Sequence, residues 1–147
     1  MIDRELRRAE AGDIAALNRL MHASRAYDGE YRAMLAGYVV TPEQVARDHV
    51  VLAERCGETL GFYSLIVEDE PELDLMFVAD AAQGTDLGRV LFEDMRGEAR
   101  RRGLARVRIV SHPPALGFYL RMGAVQVGTC EPTGRVSWAR PVLDLAP

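Results

Sequence analysis

The sequence contains no lysine: all eighteen basic side chains are arginine, which we attribute to genome composition rather than to function. Positive charge is also in deficit, with twenty-two acidic residues and a net charge of −4 at pH 7. That balance excludes the basic footprint on which non-specific nucleic-acid binding depends. Cysteine is scarce. Cys56 and Cys130 are the two present, too few and too far apart for a metal cluster or a disulfide scaffold. No apolar run approaches the roughly 18 residues of a membrane span. The opening Met1-Ile2-Asp3-Arg4-Glu5 is too charged for a secretory signal, so a cytoplasmic location is expected. There is no repeat, low-complexity tract or linker-like composition shift. What the chain does have is 48% hydrophobic residues over 147 positions. At that length a domain buries roughly 68–70% of its unfolded surface without staples, so one domain is expected.

Hydrophobic periodicity divides the chain into elements. Glu5 to Ala9 reads as a short strand. Ile14, Leu17, Leu20 and Met21 form one face of a helix, with Asp13 as its cap. From Ser24 to Val40 the pattern weakens, and a short helix or a loop fits equally. Thr41-Pro42-Glu43-Gln44 combines a capping box with proline at the first helical position, which predicts a short helix. The period then falls to two. Val50–Ala53, Leu60–Val67 and Leu73–Val78 predict an antiparallel meander turning at Cys56-Gly57-Glu58 and at Glu68 to Pro71. Gly84 to Gly88 opens a long helix with Leu87, Val90, Leu91, Met95 and Ala99 on its apolar face, stopped by Gly103. A strand over Arg106–Val110, a helix over Pro114–Met122 ended by Gly123, and strands over Ala124–Gly128 and Arg135–Leu143 complete the pattern. The order predicts an α/β or α+β fold, a mixed sheet of about six or seven strands flanked by helices.

The segment Leu73 to Arg102 carries the most chemistry. A strand ends at Val78, a loop carries Gln83-Gly84-Thr85-Asp86-Leu87-Gly88, and a helix begins. Unpaired N–H groups and the positive end of the helix dipole make such a junction suited to anions. The spacing lacks the Gly-Lys-Ser/Thr ending of a P-loop. It also lacks the parallel units and glycine positions of a dinucleotide fingerprint. By itself the junction is equally an ordinary tight turn.

From about Leu6 to Leu143 the chain resembles the GCN5-related N-acetyltransferase (GNAT) superfamily. Glu72-Leu73-Asp74-Leu75-Met76-Phe77-Val78 is similar to the family's central strand. Gln83 to Gly88 is similar to its Q/R-x-x-G-x-G/A pyrophosphate loop, and Gly61-Phe62-Tyr63 fits the third strand. Ala115 to Ala124 resembles the late helix-to-strand segment with its Phe-Tyr and Gly-Ala pairs. Two departures stand out: Asp86 occupies the place of the loop's first glycine, and His112 that of an asparagine before the late helix.

The resemblance implies a mostly antiparallel GNAT fold. It also implies acetyl-CoA as cosubstrate, an amine acceptor on a small molecule or peptide, and membership of a family whose proteins are often homodimers. The pantetheine arm would lie along the splayed end of the Leu73–Val78 strand, held by backbone N–H groups near Phe77 and Val78. An N–H of Met76 or Phe77 would meet the oxyanion. The pyrophosphate would sit over Gln83, Gly84, Thr85, Asp86, Leu87, Gly88 and Arg89. There the Asp86 carboxylate is expected to oppose it, in a position where aspartate tolerates left-handed backbone angles. Tyr119 matches the general acid for the departing thiolate, or is a core tyrosine. Glu72 is the candidate general base, directly or through water, or a solvated edge carboxylate. Asp74, two residues on, shares its face of the strand, and the pair leans towards a cationic acceptor.

Other candidates read more plainly as structure: His112 as a turn residue, His22 and Arg100-Arg101-Arg102 as charges at helix ends, and Met21, Met34, Tyr27, Tyr31 and Tyr38 as pocket lining or core. Neither cysteine has a histidine nearby in sequence, and no metal is expected. The reading from another class is a non-catalytic acyl-CoA-binding or sensor module of the same fold, which Asp86 favours.

Overall fold

The computed structural model describes residues 4–134 and 136–147. Seven strands form one sheet in the order β1-β2-β3-β4-β5-β7-β6. They are β1 Glu5–Arg8, β2 His49–Arg55, β3 Glu58–Ile66, β4 Glu72–Val78, β5 Val107–Val110, β6 Val125–Cys130 and β7 Arg140–Leu145. Neighbours run antiparallel except β4 and β5. The helices are α1 Ile14–His22, α2 Arg32–Leu35, α3 Pro42–Arg47, α4 Leu87–Arg101 and α5 Leu116–Arg121. The fold class is therefore as expected, a mixed and mostly antiparallel sheet flanked by helices. Among the described residues no helix is long and apolar enough to cross a membrane.

The core lies on both faces of the sheet. One cluster packs Leu87, Leu91, Phe92, Met95 and Ala99 of α4 with Tyr119 of α5 against Tyr63, Leu65, Val107 and Ile109. The other packs Leu17, Leu20, Met21, Leu35 and Val45 of α1 to α3 against Leu52, Phe62 and Phe77. Phe92 is fully buried and Val90 only partly, whereas the sequence reading puts Val90 on the apolar face and leaves Phe92 out. At about 100° per residue, Phe92 falls nearer than Val90 to the middle of the arc drawn by Leu87, Leu91, Met95 and Ala99.

Three local expectations are corrected. Asp13 stands before α1 but makes no cap to it. Its carboxylate instead accepts from Glu10 N–H at 2.8 Å and from Arg7 at 2.9 Å, closing the 3₁₀ turn in front. Thr41 does cap α3, accepting from Gln44 N–H at 3.2 Å. The Gln44 side chain, however, reaches Ser64 and Asp74 rather than returning to close the box. The last strand begins at Arg140, not Arg135: Thr133 and Val136 bridge to each other instead of to the sheet, and Arg135 itself lies outside the described residues. The turn at Cys56-Gly57 has φ of +53° and +78° at its two residues, as a tight hairpin turn of the primed kind requires.

Along β4 the sheet departs from regularity twice. β4 pairs with β5 only at Glu72 and Arg108; beyond that point the strands part. On its other side, β4 matches Leu75 to Ser64 but Leu73 to Leu65. Asp74 is thus an extra residue, a β-bulge. The bulge slips the alternation by one, so Leu73 joins the α4 face while Leu75 packs on the α1 face.

Candidate functional site

The parting of β4 from β5 opens a cleft of about 440 Å³. Its floor is the free edge of β4. Ala79 N–H donates to Leu60 O at 2.8 Å. With the pairing 62 to 77 and 64 to 75, the ladder bonds of this stretch belong to Leu75, Phe77 and Ala79. The amides of Met76 and Val78 therefore face the gap, and that of Phe77 is turned into the sheet. The expectation that Phe77 N–H would be free is corrected by this parity; its ring still lines the cleft, as do Met76 and Val78.

At one end stands the loop into α4. Gln83 and Gly88 line the cleft, whereas Gly84, Thr85, Asp86 and Arg89 are exposed beside it. The Leu87 side chain is fully buried in the core. Gln83 donates to Val78 O at 3.0 Å, tying the loop to the strand end. Thr85 Oγ1 donates to Ala82 O at 2.6 Å and accepts from Leu87 N–H at 3.3 Å. The first regular bond of α4 runs from Val90 N–H to Asp86 O at 3.0 Å. The N–H groups of Gly88 and Arg89 thus have no helical partner. The left-handed position is Gly84, φ +78°. Asp86 has φ −85°, so nothing in its backbone calls for glycine or for left-handed tolerance. Nor is its carboxylate isolated. Arg4 lies 2.8 Å away and Arg89 3.7 Å, and the Arg4 guanidinium holds this carboxyl below its usual range. The expected repulsion of an anion is offset by two arginines, of which Arg4 is far away in sequence and carries no motif.

The opposite wall is α5. A Cβ at Gly88 would lie 3.5 Å from the Phe118 ring, an ordinary contact, so the start of α4 stands close to α5. Tyr119 lines the cleft, is 9% exposed, and packs against Phe92 and Phe118. Burial, with Tyr27 adding to it, pushes its phenol well above the ordinary value. It stays protonated throughout the neutral range.

The roof comes from the segment whose sequence pattern fits a helix or a loop equally. It forms 3₁₀ turns at Arg25–Tyr27 and Gly29–Tyr31 and the single-turn α2. Asn18 exchanges two bonds with Val40, and Arg32 donates to His22 O, Ser24 O and Asp28. His112, read as a turn residue, in fact joins this roof to the β5–α5 connection. Its ring stacks on Tyr27 at 3.9 Å and meets the edge of Tyr31. Its Nε2–H donates to Ala26 O at 2.6 Å, and burial lowers its pKa, favouring the neutral ring. His22 likewise braces the roof, bonding Tyr38 O at 2.6 Å.

The two carboxylates of β4 differ. Asp74 lines the cleft together with Tyr38 and takes a bond from Gln44 at 3.3 Å. Glu72 does not line it, and its Oε1 is 4.0 Å from Arg108. Burial raises both carboxyls, with Asp74 adding to the effect at Glu72 and Asp48 to that at Asp74. Cys56 and Cys130 are free thiols away from the cleft. Arg101 and Arg102 pair with Glu98.

A seven-stranded sheet opened between its one parallel pair, beside a loop and helix start, is the architecture of an acyltransferase of the GNAT kind. The acetyltransferase (GNAT) domain family matches residues 31–136, and the chain belongs to it. No curated protein sequence matches. Among solved structures, the chain is similar to a GCN5-related N-acetyltransferase from Rhodopseudomonas palustris, with TM-score 0.85 and 19% identity over 100% of this chain and 98% of that one. It is also similar to the PaiA N-acetyltransferase of Thermoplasma acidophilum in complex with coenzyme A, with TM-score 0.81 and 16% identity over 99% of each chain. A third is yncA of Salmonella typhimurium with its cofactor acetyl-CoA, with TM-score 0.73 and 19% identity over 98% and 94%. At such identities the likeness speaks for the fold.

Proposed function

We propose that the chain is a cytoplasmic N-acetyltransferase that moves an acetyl group from acetyl-CoA to a primary amine. The observation that carries this reading is the gap beside β4, where the unladdered amides of Met76 and Val78 point at an apolar cleft that also receives Tyr119. The Val78 amide would hold the pantetheine arm, and the start of α4 with Gln83 to Arg89 the pyrophosphate. The thioester supplies an activated acyl group. The chain's own residues do the rest. Met76 N–H, fixed in the strand, stabilises the oxyanion, a preorganised donor of the kind that often dominates acyl transfer. Glu72 takes the amine's proton through water, its raised carboxyl being the better base. As the C–N bond forms and the C–S bond breaks, Tyr119 offers its hydroxyl proton to the sulfur. An ordinary phenol near 10 is already a weaker acid than a thiol near 8.5, and burial weakens it further. Its contribution is therefore a hydrogen bond that tightens as charge builds on sulfur.

The test is thiol release from acetyl-CoA with a panel of amines. With no lysine in the chain, no side-chain amine of the protein competes for acetyl groups. Amine-dependent release is expected, together with a thermal shift that reflects about 2.7 kcal/mol of stabilisation at a hundredfold excess of acetyl-CoA over its Kd. The absence of both overturns the reading. A non-catalytic acyl-CoA-binding module is the second reading, favoured by the position of Glu72 outside the cleft beside Arg108. It predicts the shift without the release.

A further inference from the structure

The cleft carries few charges. Among the described residues lining it, Arg121 is the one cation and Asp74 the one carboxylate. Asp74 has no ion-pair partner among the described residues: Arg47, whose charge acts on it, is bonded to Asp48 at 2.9 Å. Its hydrogen bond comes from a neutral donor, Gln44. The bulge puts it on the α1 face beside Leu75, under a roof of Tyr27, Met34, Leu35 and Tyr38. A half-buried carboxylate without a counter-ion, set in an apolar wall with two tyrosine rings, is suited to a desolvated cation. Along β4, Asp74 lies two residues from the Met76 amide, about 7 Å at strand rise.

We propose, resting on the acetyltransfer reading above, that Asp74 is a specificity-determining residue that binds a second, non-reacting ammonium of the acceptor. The acceptor is then a small dicationic amine, its two nitrogens about 6–7 Å apart, one acetylated beside Met76 and the other held at Asp74. This role is distinct from that of a base. A base serves every amine alike, whereas an anchor serves only acceptors with a second positive charge.

Diaminobutane, butylamine and aminobutanoate make a matched series of acceptors with a cationic, neutral or anionic far end. The parent protein is expected to prefer diaminobutane over butylamine by about tenfold in kcat/KM, carried by KM, with aminobutanoate poorest. Asp74→Asn should bring the first two within about twofold of each other, and Asp74→Glu should restore part of the preference. Calorimetric titration of the same amines reads the preference without turnover. Discriminating binding in the absence of thiol release would sink the acetyltransfer reading and leave the anchor standing. Equal binding and equal rates for diaminobutane and butylamine in the parent protein overturn the anchor, whether or not the variants fold. A loss in Asp74→Asn that is the same for both amines and recovers at high pH also overturns it, making Asp74 a base.

Discussion

At the scale of single residues, Tyr119 is the sharpest test. A phenol that only fills space is replaced by phenylalanine without consequence for chemistry. One that meets the leaving sulfur acts mainly in the transition state. We expect Tyr119→Phe to lower turnover by about ten- to a hundredfold and to keep the acetyl-CoA thermal shift. Equal turnover, with chemistry rate-limiting, would return Tyr119 to packing. Asp86 makes a second test. With Arg4 and Arg89 both drawn to it, Asp86→Asn removes a negative charge and frees two guanidinium groups beside the α4 start. Acetyl-CoA should bind a few-fold more tightly, and the gain should fade as salt screens it. Weaker binding would mean that the Arg4–Asp86 pair orders the loop. The loop and Tyr119 are legible in the sequence as motifs. Arg4 is not, because its partner is far along the chain, and the free amides of β4 are misjudged from sequence because their parity depends on a pairing that only the folded sheet defines.

At the scale of elements, close approach matters most where β3 crosses under α4. A Cβ on Gly61 would fall 2.8 Å from Phe77 O and 3.0 Å from Leu91. Gly61→Ala must push backbone or helix away, and we expect a loss of about 1–3 kcal/mol in denaturant unfolding. A neutral result would show that α4 yields freely. Strand and helix order is readable because periods of 2 and 3.6 are written in the positions of apolar residues. The roof is not, since its 3₁₀ turns of three residues are too short to show a period, and side-chain bonds from Asn18 and Arg32 hold them in place. The bulge at Asp74 escapes for a related reason. With Leu75 to Val78 all apolar, a one-residue slip at Asp74 leaves no mark in the pattern.

At the scale of the molecule, buried histidines set the response to mild acid. Burial lowers the pKa of both His49 and His112 below 6.5. The unfolded chain therefore takes up their protons first, and the stability they favour is present above pH 6.5 and drains as pH falls towards the folded values. Asp13, Asp86 and Glu98, all lowered, act only further down, below their ordinary values of 3.8 to 4.5. Glu72 and Asp74, both raised, work in the other direction, since the folded state binds their protons first. Melting temperature should fall between pH 7.5 and 5.5, with a shallower slope in a His49→Gln, His112→Gln double variant. An unchanged slope would show that other groups carry the response.

The single pairing point between β4 and β5 also has a mechanical meaning. The sheet is two leaves on one short spine, β1 to β4 and β5 to β7, and the leaves are free to breathe where rungs are missing. A ligand whose amides and carbonyls run along that gap acts as a surrogate strand and stitches the leaves together. Hydrogen exchange reads this directly. The amides of Met76 and Val78 should exchange quickly in the free protein and slow strongly with acetyl-CoA, while Phe77, already laddered, should be slow in both. Protection would then appear in steps of two along β4, a fingerprint of backbone docking that ligand contact through side chains alone does not produce.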